Sequence, residues 1–186
     1  MSVNWMLIRG SGVVAFMLLA AAAIWGLLVS TGILGPVVKA KGLTWFHESI
    51  GIAALLATAV HMTAVGMDEY VAFGPRELFV PGASTWQPLA TAFGVTAFYS
   101  LVVVSVSFYV KRWIGQARWR AIHYLAFGTY VAALSHGLMA GTDRTHPVVF
   151  GLYVASAVLV AALIAVRAFA RPRQAAAPSR RTVEPV

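Results

Sequence analysis

Residues 47–61 read HESIGIAALLATAVH and residues 123–136 read HYLAFGTYVAALSH: two runs, each opened and closed by histidine, with Glu48 their single charged residue. Both sit inside longer apolar stretches, Leu43–Val65 and Ala121–Ala140. Three further stretches, Gly12–Leu34, Pro88–Val110 and Val148–Val166, are uncharged. About 20 apolar residues in a helix cross roughly 30 Å of hydrocarbon, so each stretch is long enough to span a bilayer. The reading predicts an all-α integral membrane protein, a bundle of about five transmembrane helices occupying one domain over residues 1–168. The remaining residues, 169–186, are polar and proline-containing, and are expected to form a disordered tail with its arginines near anionic lipid.

Composition supports this reading. Only 11% of the 186 residues are charged and 60% are hydrophobic, against roughly 25% charged in an ordinary soluble domain. The first apolar stretch follows a weakly basic start and contains Ala20–Ala23, but it is too long for the apolar region of a secretory signal and is expected to be retained. There is no cysteine, which removes disulfides, iron–sulfur clusters and thiolate metal sites. Any metal chemistry must come through histidine or oxygen.

The net charge of +8 points to topology, not to nucleic acid. With five spans, Arg9, Arg76 and Arg144 fall on one side. Lys39, Lys41, Lys111, Arg112, Arg118, Arg120, Arg167, Arg171, Arg173, Arg180 and Arg181 fall on the other. Positive charge marks the cytoplasmic side, which puts the N-terminus outside and the C-terminus inside, in a bacterial plasma membrane. The second and fourth spans then run in the same direction.

The 66–88 connection is long, lies outside, carries Asp68, Glu69 and Glu77, and is expected to form a partial lid or partner surface. The 111–120 connection, KRWIGQARWR, reads as a basic interfacial turn, with Trp113 and Trp119 as belt residues.

Four of the five histidines lie at membrane depth, where polar groups are costly. One isolated histidine could be an interhelical hydrogen-bond donor; two pairs on two parallel helices suggest more. On a helix, the 14 residues from His47 to His61 span about 21 Å and leave the two rings only about 40° apart around the axis. The 13 residues from His123 to His136 span about 19.5 Å. Because the spans are parallel, His47 matches His123 in height and His61 matches His136. Two imidazoles at one depth on facing helices are what a bis-histidine haem needs, here twice, once toward each face.

The 13-residue spacing leaves an offset of roughly 140° on an ideal helix, so differently turned haem planes or a helix distortion near Gly128 or Gly137 is expected. Gly51, one turn after His47, and Gly137, beside His136, fit either a flat macrocycle against backbone or simple helix packing. Arg118 and Arg120, just before His123, and Arg9 and Arg144, at the outer level, are the candidate cations for haem propionates. Phe127 and Tyr130 lie between the two heights and read first as packing residues and second as lining for an electron path. Glu48 reads as turned to the interface, or as an acceptor for a histidine N–H, and His146 reads as a surface residue.

Over residues 5–168 the chain resembles the ferric reductase-like transmembrane domain family, which includes the membrane part of NADPH oxidases. The resemblance is carried by the paired 14 and 13 spacings, by IRGSGVVAFMLL opening the first span, and by SHGLMAGTDRTHP after the last ligand. It implies a bundle that holds two low-spin, bis-histidine b haems and passes electrons from a cytoplasmic reductant to an outer acceptor. It also implies that His47 and His123 ligate an inner iron, and His61 and His136 an outer one, with Arg9 near the outer haem.

Members with oxidase or reductase activity carry a flavin and nicotinamide module after the last span. Here a short polar tail stands in its place, and no GxGxxG element is present. The expectation is therefore a di-haem electron-transfer subunit fed by a separate flavoprotein, by quinol or by another carrier, delivering to an extracytoplasmic acceptor or redox protein. Two alternatives stand beside it. One is direct transmembrane reduction of ferric iron, oxygen or flavin at the outer haem. The other is a metal or proton transporter that uses the histidines without haem.

Overall fold

A computed structural model describes residues 2–33 and 40–169. The expected tail and its arginines, together with Lys39 and the Leu34 end of the first span, lie outside the described residues. The described chain is all-helical: α1 (Val3–Thr31), α2 (Ala40–Gly66), α3 (Pro75–Phe79), α4 (Pro88–Ile114), α5 (Gln116–His123), α6 (Leu125–Ala140) and α7 (Pro147–Phe169), with one 3-10 turn at Thr142–Thr145.

The ends of these helices follow local chemistry. Ser2 caps α1 by accepting from the Trp5 N–H, and Gly32, at φ 72°, closes it in the left-handed conformation that glycine adopts without strain. Pro75 and Pro88 lie in the first turns of α3 and α4, and Pro147 begins α7. Proline is tolerated there because the first-turn N–H groups have no partner inside the helix. Gly115, at φ 83° and ψ 159°, is the single residue between α4 and α5, and lets the chain turn there.

Four of these helices, α1, α2 from Lys41, α4 and α7, are long and apolar enough to cross a membrane, and little of each is buried inside the bundle. Mid-helix Leu56 and Val158 stay 63% and 64% exposed, as expected where the solvent is lipid. The expected fourth span over 121–140 differs, because it is divided at Tyr124 into α5 and α6. At the break the Tyr124 carbonyl accepts from the Phe127 N–H at 3.2 Å, an i to i+3 bond that tightens the turn. Tightening overwinds the helix, which reduces the angular mismatch between His123 and His136. The distortion lies beside His123, not at Gly128 or Gly137.

α1 packs along α2, and α4 along α6, while α1 also contacts α6 and α7. The main core gathers Phe16, Ala20 and Leu27 of α1 with Tyr130 of α6 and Tyr153, Val160 and Leu163 of α7. Phe16 meets Tyr153 edge-on at 4.6 Å, and the Tyr130 hydroxyl bonds Ser156 at 2.9 Å, so Tyr130 serves packing. A second, smaller cluster joins Leu19, Ala54 and Leu101 of α1, α2 and α4. Without a hydrophobic drive between helices in lipid, such close fits and buried hydrogen bonds hold the bundle.

Candidate functional site

The structure brings the four histidines together as two pairs. His47 of α2 faces His123 at the end of α5, ring centres 6.0 Å apart and planes at 77°. His61 of α2 faces His136 of α6 at 6.3 Å and 74°. The segment 123–136 therefore runs parallel to 47–61, and the depth matching read from the spacings is the matching observed.

Three of the four rings share one mounting. A Cβ built on Gly12 would stand 3.0 Å from His61 Cε1, one on Gly26 3.1 Å from His47 Cε1, and one on Gly94 2.8 Å from His136 Nδ1. Each of these histidines thus lies against a glycine of a neighbouring helix, where an added Cβ would press on the ring, most tightly at Gly94. His61 Nδ1 is 3.0 Å from the Ile8 carbonyl, and His136 Nδ1 is 2.8 Å from the Ala90 carbonyl. In both cases the carbonyl lies four residues before the glycine, on the same helix face. His47 follows the pattern loosely: the Ala22 carbonyl, again four before Gly26, lies beside it, but its buried Nδ1 closes no hydrogen bond of ordinary geometry.

Fixing Nδ1–H on a carbonyl selects the tautomer that leaves Nε2 free as a ligand. Ser11 adds a long contact, 3.5 Å, from its hydroxyl to His61 Nδ1.

Reading the sequence missed these glycines. Of the two it singled out, Gly137 seats Tyr153 of α7, whose hydroxyl would stand 2.6 Å from an added Cβ, and Gly51 has no neighbouring atom within 4 Å of that position. The recoverable signal was the spacing: Gly12 and Gly26 are 14 residues apart, as are His47 and His61, on two helices packed antiparallel.

The donor set is two imidazoles per site. Among the described residues no third histidine, cysteine or carboxylate joins either pair. Tetrahedral zinc would lack two ligands, whereas a porphyrin supplies four equatorial nitrogens and asks the protein for two axial ones. A metal held on both sides by imidazole nitrogen at about 2 Å, with roughly 1 Å more to each ring centre, sets the centres about 6 Å apart. Both pairs stand at about that separation, 6.0 and 6.3 Å, so the donor set is compatible with two axial imidazoles.

No family model, curated protein or solved structure matches the chain. The site must be read from its own chemistry.

Around the His61–His136 pair lies a cavity of ≈ 280 Å³, lined by residues of α1, α2, α4 and α6 and by the 66–88 connection. Asp68, Phe73, Glu77 and Trp86 of that connection line it together with His61 and His136, so the segment folds over this pair. Arg9 and Arg144 are also on its wall. Arg9 forms a two-point ion pair with Asp143, its Nε donating to Oδ2 at 2.7 Å. Arg144 donates to the Leu138 and Met139 carbonyls at the end of α6. Arg118 and Arg120 are exposed on α5 ahead of His123.

Next to His47, Glu48 accepts from the Tyr109 hydroxyl at 3.1 Å. His146 is exposed at the start of α7. Trp113, with Arg112 over its ring, is 69% exposed and fits the belt role expected of it. Trp119 does not: it stacks on His123 at 5.1 Å and 23°.

Proposed function

We propose that the chain is a di-haem b-type electron carrier of the ferric reductase-like kind, spanning a bacterial plasma membrane. Haem at each site would supply reversible one-electron exchange at two depths of the bilayer. The observation that carries this reading is the duplicated pair of imidazoles, each about 6 Å centre to centre, repeated along the same two parallel segments. His47 and His123 hold the inner group; His61 and His136 hold the outer one. The protein's own work is to orient four rings, hold their tautomers, keep water away with apolar helices, and supply cations near each face.

In this reading α5 and α6 together make a fifth crossing, the basic α4–α5 elbow is cytoplasmic, and the N-terminus is outside. Electrons arrive from a flavoprotein, quinol or other carrier and leave to an external acceptor. A second reading, direct reduction of ferric iron, oxygen or flavin at the outer site, is favoured by the cavity and its arginines beside His61 and His136. Turnover of such an acceptor by the pre-reduced, partner-free protein supports it, and no turnover removes it.

The decisive experiment is a dithionite-reduced minus oxidised spectrum of the purified protein with haem counted per chain. Two low-spin b haems are expected, falling to one in His61→Ala or His136→Ala. A wild-type protein purified without any b-type signal overturns the proposal.

A further inference from the structure

Three histidines lie against a glycine of a neighbouring helix, and two of them, His61 and His136, also place Nδ1 on the carbonyl four residues before it; His123 does neither. None of the bonds among the described residues uses its ring nitrogens, and none of the glycines whose surroundings are described lies against it. On α4, Gly94 carries the outer mounting, but 14 residues further on stands Phe108. A different device occupies the inner position. Trp119, four residues before His123 and therefore on the same helix face, lies near-parallel to the imidazole at 5.1 Å. The Lys111 ammonium sits 4.0 Å from the centre of the Trp119 ring, a cation–π contact from α4 onto α5. The indole Nε1–H is buried without a partner, which is costly, so the ring is not held there by its hydrogen bond.

We propose that Trp119, pinned by Lys111, is the positioning residue of the inner site, fixing the His123 ring plane by stacking where the outer histidines are fixed by backbone carbonyls. The proposal rests on the haem reading of the pairs. Its consequence is that the two sites answer to different perturbations. The inner one depends at His123 on an aromatic face and a nearby cation beside the Gly26 seat of His47, the outer one on glycine seats at both rings. The Lys111 charge near the inner ligand disfavours the more positive, oxidised state of a bound iron. Removing it shifts half-reduction of that site to lower potential.

The test compares W119F, W119L and K111Q with the wild type by haem count per chain, low-spin resonances in the oxidised protein, and a redox titration. W119F keeps the stacking face, removes the N–H, and is expected to retain two haems. W119L is expected to fall to one haem, with the outer resonance unmoved. K111Q is expected to keep two haems and lower the inner potential alone.

W119L with two haems and unmoved resonances overturns the proposal. So does equal loss in W119F and W119L, which assigns the effect to the indole N–H or its bulk, and so does loss of both haems in W119L. A wild type without haem overturns the functional reading itself, a result distinct from all of these.

Discussion

Replacing Gly94 by alanine tests the mounting of the outer site most directly. The added methyl would stand 2.8 Å from His136 Nδ1, 2.9 Å from Cε1 and 3.1 Å from Cγ. Comfortable contact needs about 3.5 Å or more, so the ring must retreat by roughly 0.7 Å. The retreat moves it off the Ala90 carbonyl, now at 2.8 Å, and changes its placement against His61, 6.3 Å away. Forcing a methyl into a packed contact costs about 1–3 kcal/mol, and at 1.4 kcal/mol per tenfold this would weaken the proposed haem binding at the His61–His136 pair roughly 5- to 150-fold.

Haem retention is the assay: purified G94A is titrated with hemin after extraction, and the outer low-spin signal is followed separately from the inner one. G128A is the control, because Gly128 is exposed on the same helix as His136 and a methyl there meets nothing within 4 Å. It should bind both haems and gain up to about 1 kcal/mol in helix stability. G94A with wild-type affinity and an unmoved outer signal would refute the argument that the glycine exists to seat the imidazole.

Two other perturbations address the scaffold. The Arg9–Asp143 pair is 30% and 20% exposed, so a double-mutant cycle with R9Q and D143N, read by thermal unfolding in detergent, should give a coupling of about 0.5–1 kcal/mol. A coupling near zero would mean that the ion pair does not tie α1 to the α6–α7 turn. Gly115→Ala forces a side chain into a conformation nearly exclusive to glycine and should cost about 1–3 kcal/mol in the same unfolding assay. An unchanged midpoint would show that the α4–α5 elbow relaxes without loss.

The helical, lipid-facing character of the chain was legible from uncharged stretches of the right length, and the histidine partners were legible from two spacings combined with charge asymmetry. The divided segment at Tyr124 was not. Neither glycine nor proline marks it, and its trace was the spacing of 13 that fails to close on a straight helix. The glycine seats were hidden for a different reason: Gly12, Gly26 and Gly94 act on rings 49, 21 and 42 positions away, each on another helix, and nothing local distinguishes them from ordinary packing glycines. Trp119 carried a usable sign, its separation of four from His123, but an interfacial tryptophan beside arginines has a common explanation that conceals the rarer one.

The equal spacing of Gly12 and Gly26 against His47 and His61 makes α1 and α2 a vernier with two coincident marks. A slip of α1 by one turn, about 5.4 Å, would move both imidazoles off their glycines at once and drive them against larger side chains. Neither site can be brought into register while the other is out of it. Insertion of one residue between 12 and 26 would turn one mark by about 100° relative to the other, leaving no alignment of the two helices that serves both. The length of that stretch is therefore a gauge for the whole molecule, constrained more tightly than the identity of most residues within it.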